Sequence, residues 1–113
     1  MIWLTGALLL IALGGGSYVA SLHFRGAPPP GKIALVHGVL GTLGAALLAV
    51  LAIQRADAAL LPALAVYGVL IAGGLYLFSF RKKEAGPPRS AIAIHGAVAI
   101  IAFGLFVYGG FIW

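Results

Sequence analysis

Residues 33–54 read IALVHGVLGTLGAALLAVLAIQ, an unbroken run with one histidine and no Asp, Glu, Lys or Arg. An α-helix rises about 1.5 Å per residue, so the run spans about 33 Å, enough to cross a hydrocarbon core of about 30 Å. Its apolar residues are continuous rather than alternating, and it is too long for a strand. Three more stretches meet the same test: Met1 to Leu22, Ala58 to Phe80 and Ala91 to Trp113 all lack formal charge. Lipid offers no partner to an open backbone, so long apolar segments span it as helices. The expected fold is all-α, a bundle of four transmembrane helices in a single membrane domain.

The composition agrees. Of 113 residues, 63% are hydrophobic and 8% charged, too few to cover a water-soluble core of this size. The net charge of +5 lies between the apolar runs, which points to membrane orientation rather than nucleic acid. The absence of cysteine excludes disulfides, thiolate metal sites and cysteine nucleophiles. The first run has no basic segment before it and no small-residue cleavage pattern after it, so a permanent helix is expected rather than a signal peptide.

The connections are short. The first, residues 25–32, carries Pro28-Pro29-Pro30, which can extend neither flanking helix. The second, about Arg55 to Ala58, forces antiparallel neighbours. The third, residues 81–90, contains Gly86-Pro87-Pro88, and Pro62 falls near the first turn of the third helix, where a missing N–H matters little. One end of the bundle therefore gathers Arg25, Lys32, Arg81, Lys82, Lys83 and Arg89 against Glu84. The other holds Arg55, Asp57, Trp3 and Trp113. These are called the basic end and the aromatic end below. The excess of Lys and Arg in loops 25–32 and 81–90 predicts that the basic end is cytoplasmic and the termini lie outside, most simply in a bacterial inner membrane. Tryptophan at the outer interface fits the same orientation.

The chain repeats itself. Gly15-Gly16, Tyr18 and His37-Gly38 recur as Gly73-Gly74, Tyr76 and His95-Gly96, all at an offset of 58 residues. Phe24-Arg25 recurs as Phe80-Arg81 at 56. Two halves, about 1–56 and 57–113, are thus expected to be similar helical hairpins of the same topology, related by an axis along the membrane normal.

His37 and His95 each lie a short way into an uncharged span. His37 is five residues past Lys32, or about 8 Å below the interface. An ionisable residue inside a span marks a functional site by default. Residues related by an axis normal to the membrane sit at equal depth. If both face inward, their imidazoles approach one another as axial ligands of one haem b iron do. Small residues flank both: Ala34, Gly41 and Gly44 on the face of His37, and Ala91, Ala99 and Ala102 on that of His95. These leave room for a planar macrocycle, with Arg25, Lys32, Arg81 and Arg89 as counter-charges for its carboxylates. Tyr18 and Tyr76 repeat nearby and are candidate donors to a cofactor or quinone carbonyl, as well as packing residues. The competing reading is plain packing, since small residues are the usual means of helix association in lipid and histidine hydrogen-bonds across such interfaces. His23 reads as interfacial. Histidines without carboxylate or thiolate make a poor structural zinc site.

His-Gly near the start of the second and fourth helices resembles small four-helix b-type membrane cytochromes of the cytochrome b561-like group. The resemblance implies a haem-binding electron-transfer subunit. That group commonly holds two haems between two histidine pairs. This chain offers one pair, which implies one bis-His haem and transfer to a quinone or a partner subunit in a larger membrane complex or homo-oligomer. Two other readings stand beside it: an accessory subunit stabilising a larger membrane complex without a cofactor, and a small transporter. The transporter is disfavoured because Asp57 and Glu84 both fall in loops. A chlorophyll-type pigment is a further occupant that histidine would ligate.

Overall fold

A computed structural model describes residues 1–27 and 31–113. The proline run 28–30, expected to stop the flanking helices, lies outside the described residues. Four helices follow in order: α1 (Ile2–Phe24), α2 (Gly31–Arg55), α3 (Leu61–Phe78) and α4 (Arg89–Val107). All four helical segments are long and apolar enough to cross a membrane, once α3 and α4 are taken with the short turns that extend them. The bundle measures 45 × 23 × 19 Å, matching a bilayer with its headgroups in the long direction.

The boundaries fall within three residues of those expected, with two refinements. The third span starts as a 3-10 turn, Ala58–Leu60, because the Asp57 carboxylate accepts the Ala59 N–H at 2.9 Å and sets the first turn tight. The fourth ends as a π turn, Tyr108–Ile112. The turn between α2 and α3 is closed by a left-handed residue, Ala56, at φ 47°. The Asp57 N–H reaches Ala52 O and the Ala56 N–H reaches Ile53 O, the paired bonds of a Schellman motif. The end of α1 uses the same motif, with Gly26 at the left-handed position.

Each helix packs chiefly on its hairpin partner, α1 on α2 and α3 on α4, and the hairpins meet through α1 with α4 and α2 with α3. Trp3 and Phe111 stack with ring centroids 5.1 Å apart, so both ends of the chain sit at the aromatic end. At the opposite end Arg89 lies over Phe24, Arg81 over Phe78 and Lys83 over Phe80.

The buried positions follow the repeat. Thr5 and Ala63, Leu9 and Tyr67, Ala12 and Leu70, Gly44 and Ala102, Leu48 and Phe106, and Leu51 and Gly109 are all buried, each pair separated by 58. Every one belongs to the half of the bundle towards the aromatic end. Among the described residues of segments 13–43 and 71–101, which form the basic half, Ile92 alone is buried. The accessible surface, 6745 Å², exceeds the roughly 5800 Å² of a soluble monomer of this mass, as an incompletely closed bundle requires.

Candidate functional site

The two histidines stand in the open half, each on the glycine pair of its own hairpin. The His37 ring lies against Gly15 and Gly16 of α1. A methyl group built on Gly16 would come within 2.7 Å of its Cε1 and 3.2 Å of Nε2. The His37 Nδ1–H donates to the Ala12 carbonyl at 2.8 Å. A carbonyl only accepts, so this bond places the proton on Nδ1 and leaves the Nε2 lone pair as the donor to an electrophile or metal. The Ala12 carbonyl already receives the bond of the helix ladder, and its second lone pair serves the imidazole.

His95 stands on Gly73 and Gly74 in the same manner, closer at the first glycine of the pair and looser at the second. A methyl on Gly73 would be 3.3 Å from Nδ1, and one on Gly74 3.6 Å from Cε1. Among the described residues, His95 has no hydrogen-bond partner. The two imidazoles line separate grooves. One, of about 280 Å³, runs between α1 and α2 past Gly15, Lys32, Val36, His37 and Leu40. The other, of about 250 Å³, runs between α3 and α4 past Gly73, Tyr76, Leu77, Ile94 and His95. Each is slightly below the usual size of a small-molecule site, about 300 Å³ upward.

The small residues flanking the histidines divide in use. Gly44 is filled, since Leu9 packs where its side chain would stand, and Gly41 faces the Ala12 methyl. Ala99 packs on the core and Ala102 is fully buried. Their smallness brings α1 against α2 and α3 against α4 rather than leaving a void. Both grooves lie nearer the basic end. Tyr18 and Tyr76 are half exposed. Tyr76 borders the His95 groove and meets Phe80 edge-on at 5.2 Å. Arg25 and Arg81 are exposed and bond back to the Ser21 and Phe78 carbonyls of their own helix ends. His23 Nδ1 is 3.1 Å from Val19 O, within its own helix.

The donor set fits a bis-imidazole iron in chemistry, with one tautomer already fixed by a carbonyl as is usual for a ligating histidine. In space, each imidazole lines a groove of its own hairpin, of about 280 and 250 Å³, rather than one shared cleft. Among the described residues, no three His, Asp or Glu side chains gather that would suit another metal. The Gly-Gly seats were present in the repeat, but the role of Ala12 was not. A backbone acceptor has no sequence signal. Comparison with models of known families, with curated proteins and with solved structures finds no match to the chain.

Proposed function

We propose that the chain is a membrane electron-transfer subunit for one b-type haem, with His37 and His95 as the residues that would ligate it. The observation that carries this reading is the coincidence of two ionisable side chains with the half of the bundle in which, among the described residues, Ile92 alone is buried. An imidazole in hydrocarbon is retained where it has a partner to bind. When bound, the haem supplies one-electron chemistry at its iron. The protein residues present the imidazoles, exclude water through the apolar walls of both grooves and place Arg25, Lys32, Arg81 and Arg89 at the near interface as cations for carboxylates. With one histidine pair, such a group would serve transfer to a quinone or to a partner within a larger membrane complex.

In the proposed orientation the basic end faces the cytoplasm. The chain has no native cysteine, so this is directly checked with Ala85→Cys. A membrane-impermeant maleimide should label it in inverted vesicles and not in intact cells, and the reverse would overturn the orientation.

The deciding experiment for haem is the visible spectrum of protein purified in mild detergent after expression with ample haem, oxidised and dithionite-reduced, beside His37→Ala and His95→Ala. A sharp reduced α-band that changes in both variants is expected. A well-folded, colourless protein removes the reading. A second reading then applies: an accessory subunit whose histidines lock each hairpin. It is favoured by the bond His37 already makes to Ala12 and by the close seating of its ring on Gly16.

A further inference from the structure

We infer that the groove between α1 and α2 binds an anionic phospholipid, with one acyl chain along its apolar walls and the phosphate at Lys32. The inference does not rest on the haem reading, and a chain that takes up no haem tests it equally well.

The two grooves repeat one another. Ile11, Val36 and Leu40 of the first recur as Val69, Ile94 and Val98 of the second, at the offset of 58 that also relates the glycines and histidines. They differ at the end nearest the loops. Lys32 lines the first groove, whereas its counterpart, Ser90, does not line the second. Lys32 and Ser90 are each the second residue of their helix, α2 and α4, so the contrast is one of charge and not of place. Arg89 does not supply the missing cation, because its guanidinium lies over the Phe24 ring of α1. The polar side chain that joins His95 in the second groove is the uncharged Tyr76.

The first groove has the form of a lipid site. Among the described residues, α3 and α4 contribute nothing to its lining, and Ile11 and Val36 are more than half exposed, so it opens on the surface that acyl chains bathe. From Lys32 to Leu40 it follows eight residues of α2, about 12 Å of depth for a chain. A lysine at this level lays its stem on apolar surface and carries its ammonium to the interface. There it serves phosphate as a point charge. The counter-anion has to come from outside the chain: six Lys and Arg at this end face Glu84 alone, and Asp57 lies at the other end. Basic pockets between membrane helices hold anionic headgroups in this way.

The test is native mass spectrometry of the full chain in mild detergent, with dioleoyl phosphatidylglycerol or dioleoyl phosphatidylcholine added at equal concentration. Wild type should bind one phosphatidylglycerol about 5-fold more tightly than phosphatidylcholine, the worth of one cation beside an anionic headgroup. Lys32→Gln should lose that preference. Lys82→Gln, which removes a cation from the same end but from neither groove, should keep it. Ser90→Lys should create a second site that prefers phosphatidylglycerol. Inorganic phosphate in excess should not displace the lipid, since it makes no use of the apolar walls, and displacement would overturn the placement of the acyl chain. Equal binding of the two lipids by wild type overturns the inference, because the groove is then only passively filled. Equal loss of preference in Lys32→Gln and Lys82→Gln also overturns it, because the selectivity then belongs to the diffuse charge of the whole end. If Lys32→Gln fails to fold, Ser90→Lys decides, and the absence of a second phosphatidylglycerol site counts against the inference.

Discussion

The aromatic half and the basic half of this bundle are built from the same four helices and differ in closure. Towards the aromatic end, Leu9, Leu48, Leu60, Ala63, Ala102 and Phe106 are buried almost completely, and Gly109 lies against the Ala59 carbonyl. Towards the basic end, side chains of similar apolarity other than Ile92 remain half-buried or exposed, and the glycine pairs and histidines lie against one another. The difference teaches where stability and function reside. In lipid, helices associate through packing and hydrogen bonds rather than through exclusion of water. A half with little packing contributes little to association, and its residues are free to serve another purpose.

The largest effect should come from Gly109→Ala. Its methyl would collide with the backbone carbonyl of Ala59, and a backbone atom cannot swing aside as a side chain can. Destabilisation of about 3 kcal/mol is expected from overpacking of this kind, read by reversible unfolding in mixed micelles. Leu48→Ala should follow at about 2 kcal/mol. Lipid replaces much of the transfer contribution, so the loss is mainly the cavity left behind, at roughly 24 cal/mol per Å³. Ala56→Gly should act in the opposite direction and stabilise by up to about 1 kcal/mol, because glycine takes the left-handed position without steric conflict. Val36→Ala, on the open half, should change stability by less than about 0.5 kcal/mol. If Val36→Ala proved as damaging as Leu48→Ala, the contrast between the halves would fail.

Much of this contrast was not legible in the sequence, although the spans were. A run without charge reports depth in the membrane, and the loops report direction, so helix ends were placed to within a few residues. The offset of 58 extended from the Gly-Gly and His-Gly pairs to the buried set. Azimuth was harder. Gly44 and Gly41 read equally well as space for a macrocycle and as seats for a neighbouring helix, and the sequence alone does not show that Leu9 and Ala12 pack on them. The histidines were expected to meet across the axis if both faced inward, and each ring lies against the glycine pair of its own hairpin. The 3-10 start at Ala58–Leu60 and the left-handed Ala56 depend on one carboxylate and one backbone angle, for which hydropathy carries no signal.

The contact of Gly109 with Ala59 makes the bundle a lever as well as a scaffold. It pins α4 to the start of α3 at one extremity, and His95 lies fourteen residues along α4, about 21 Å away. With that fulcrum fixed, tilting a helix by about 5° moves the histidine level by about 2 Å and the pinned level hardly at all. Displacement at the basic end can therefore be larger than at the pinned end, where the core stays shut.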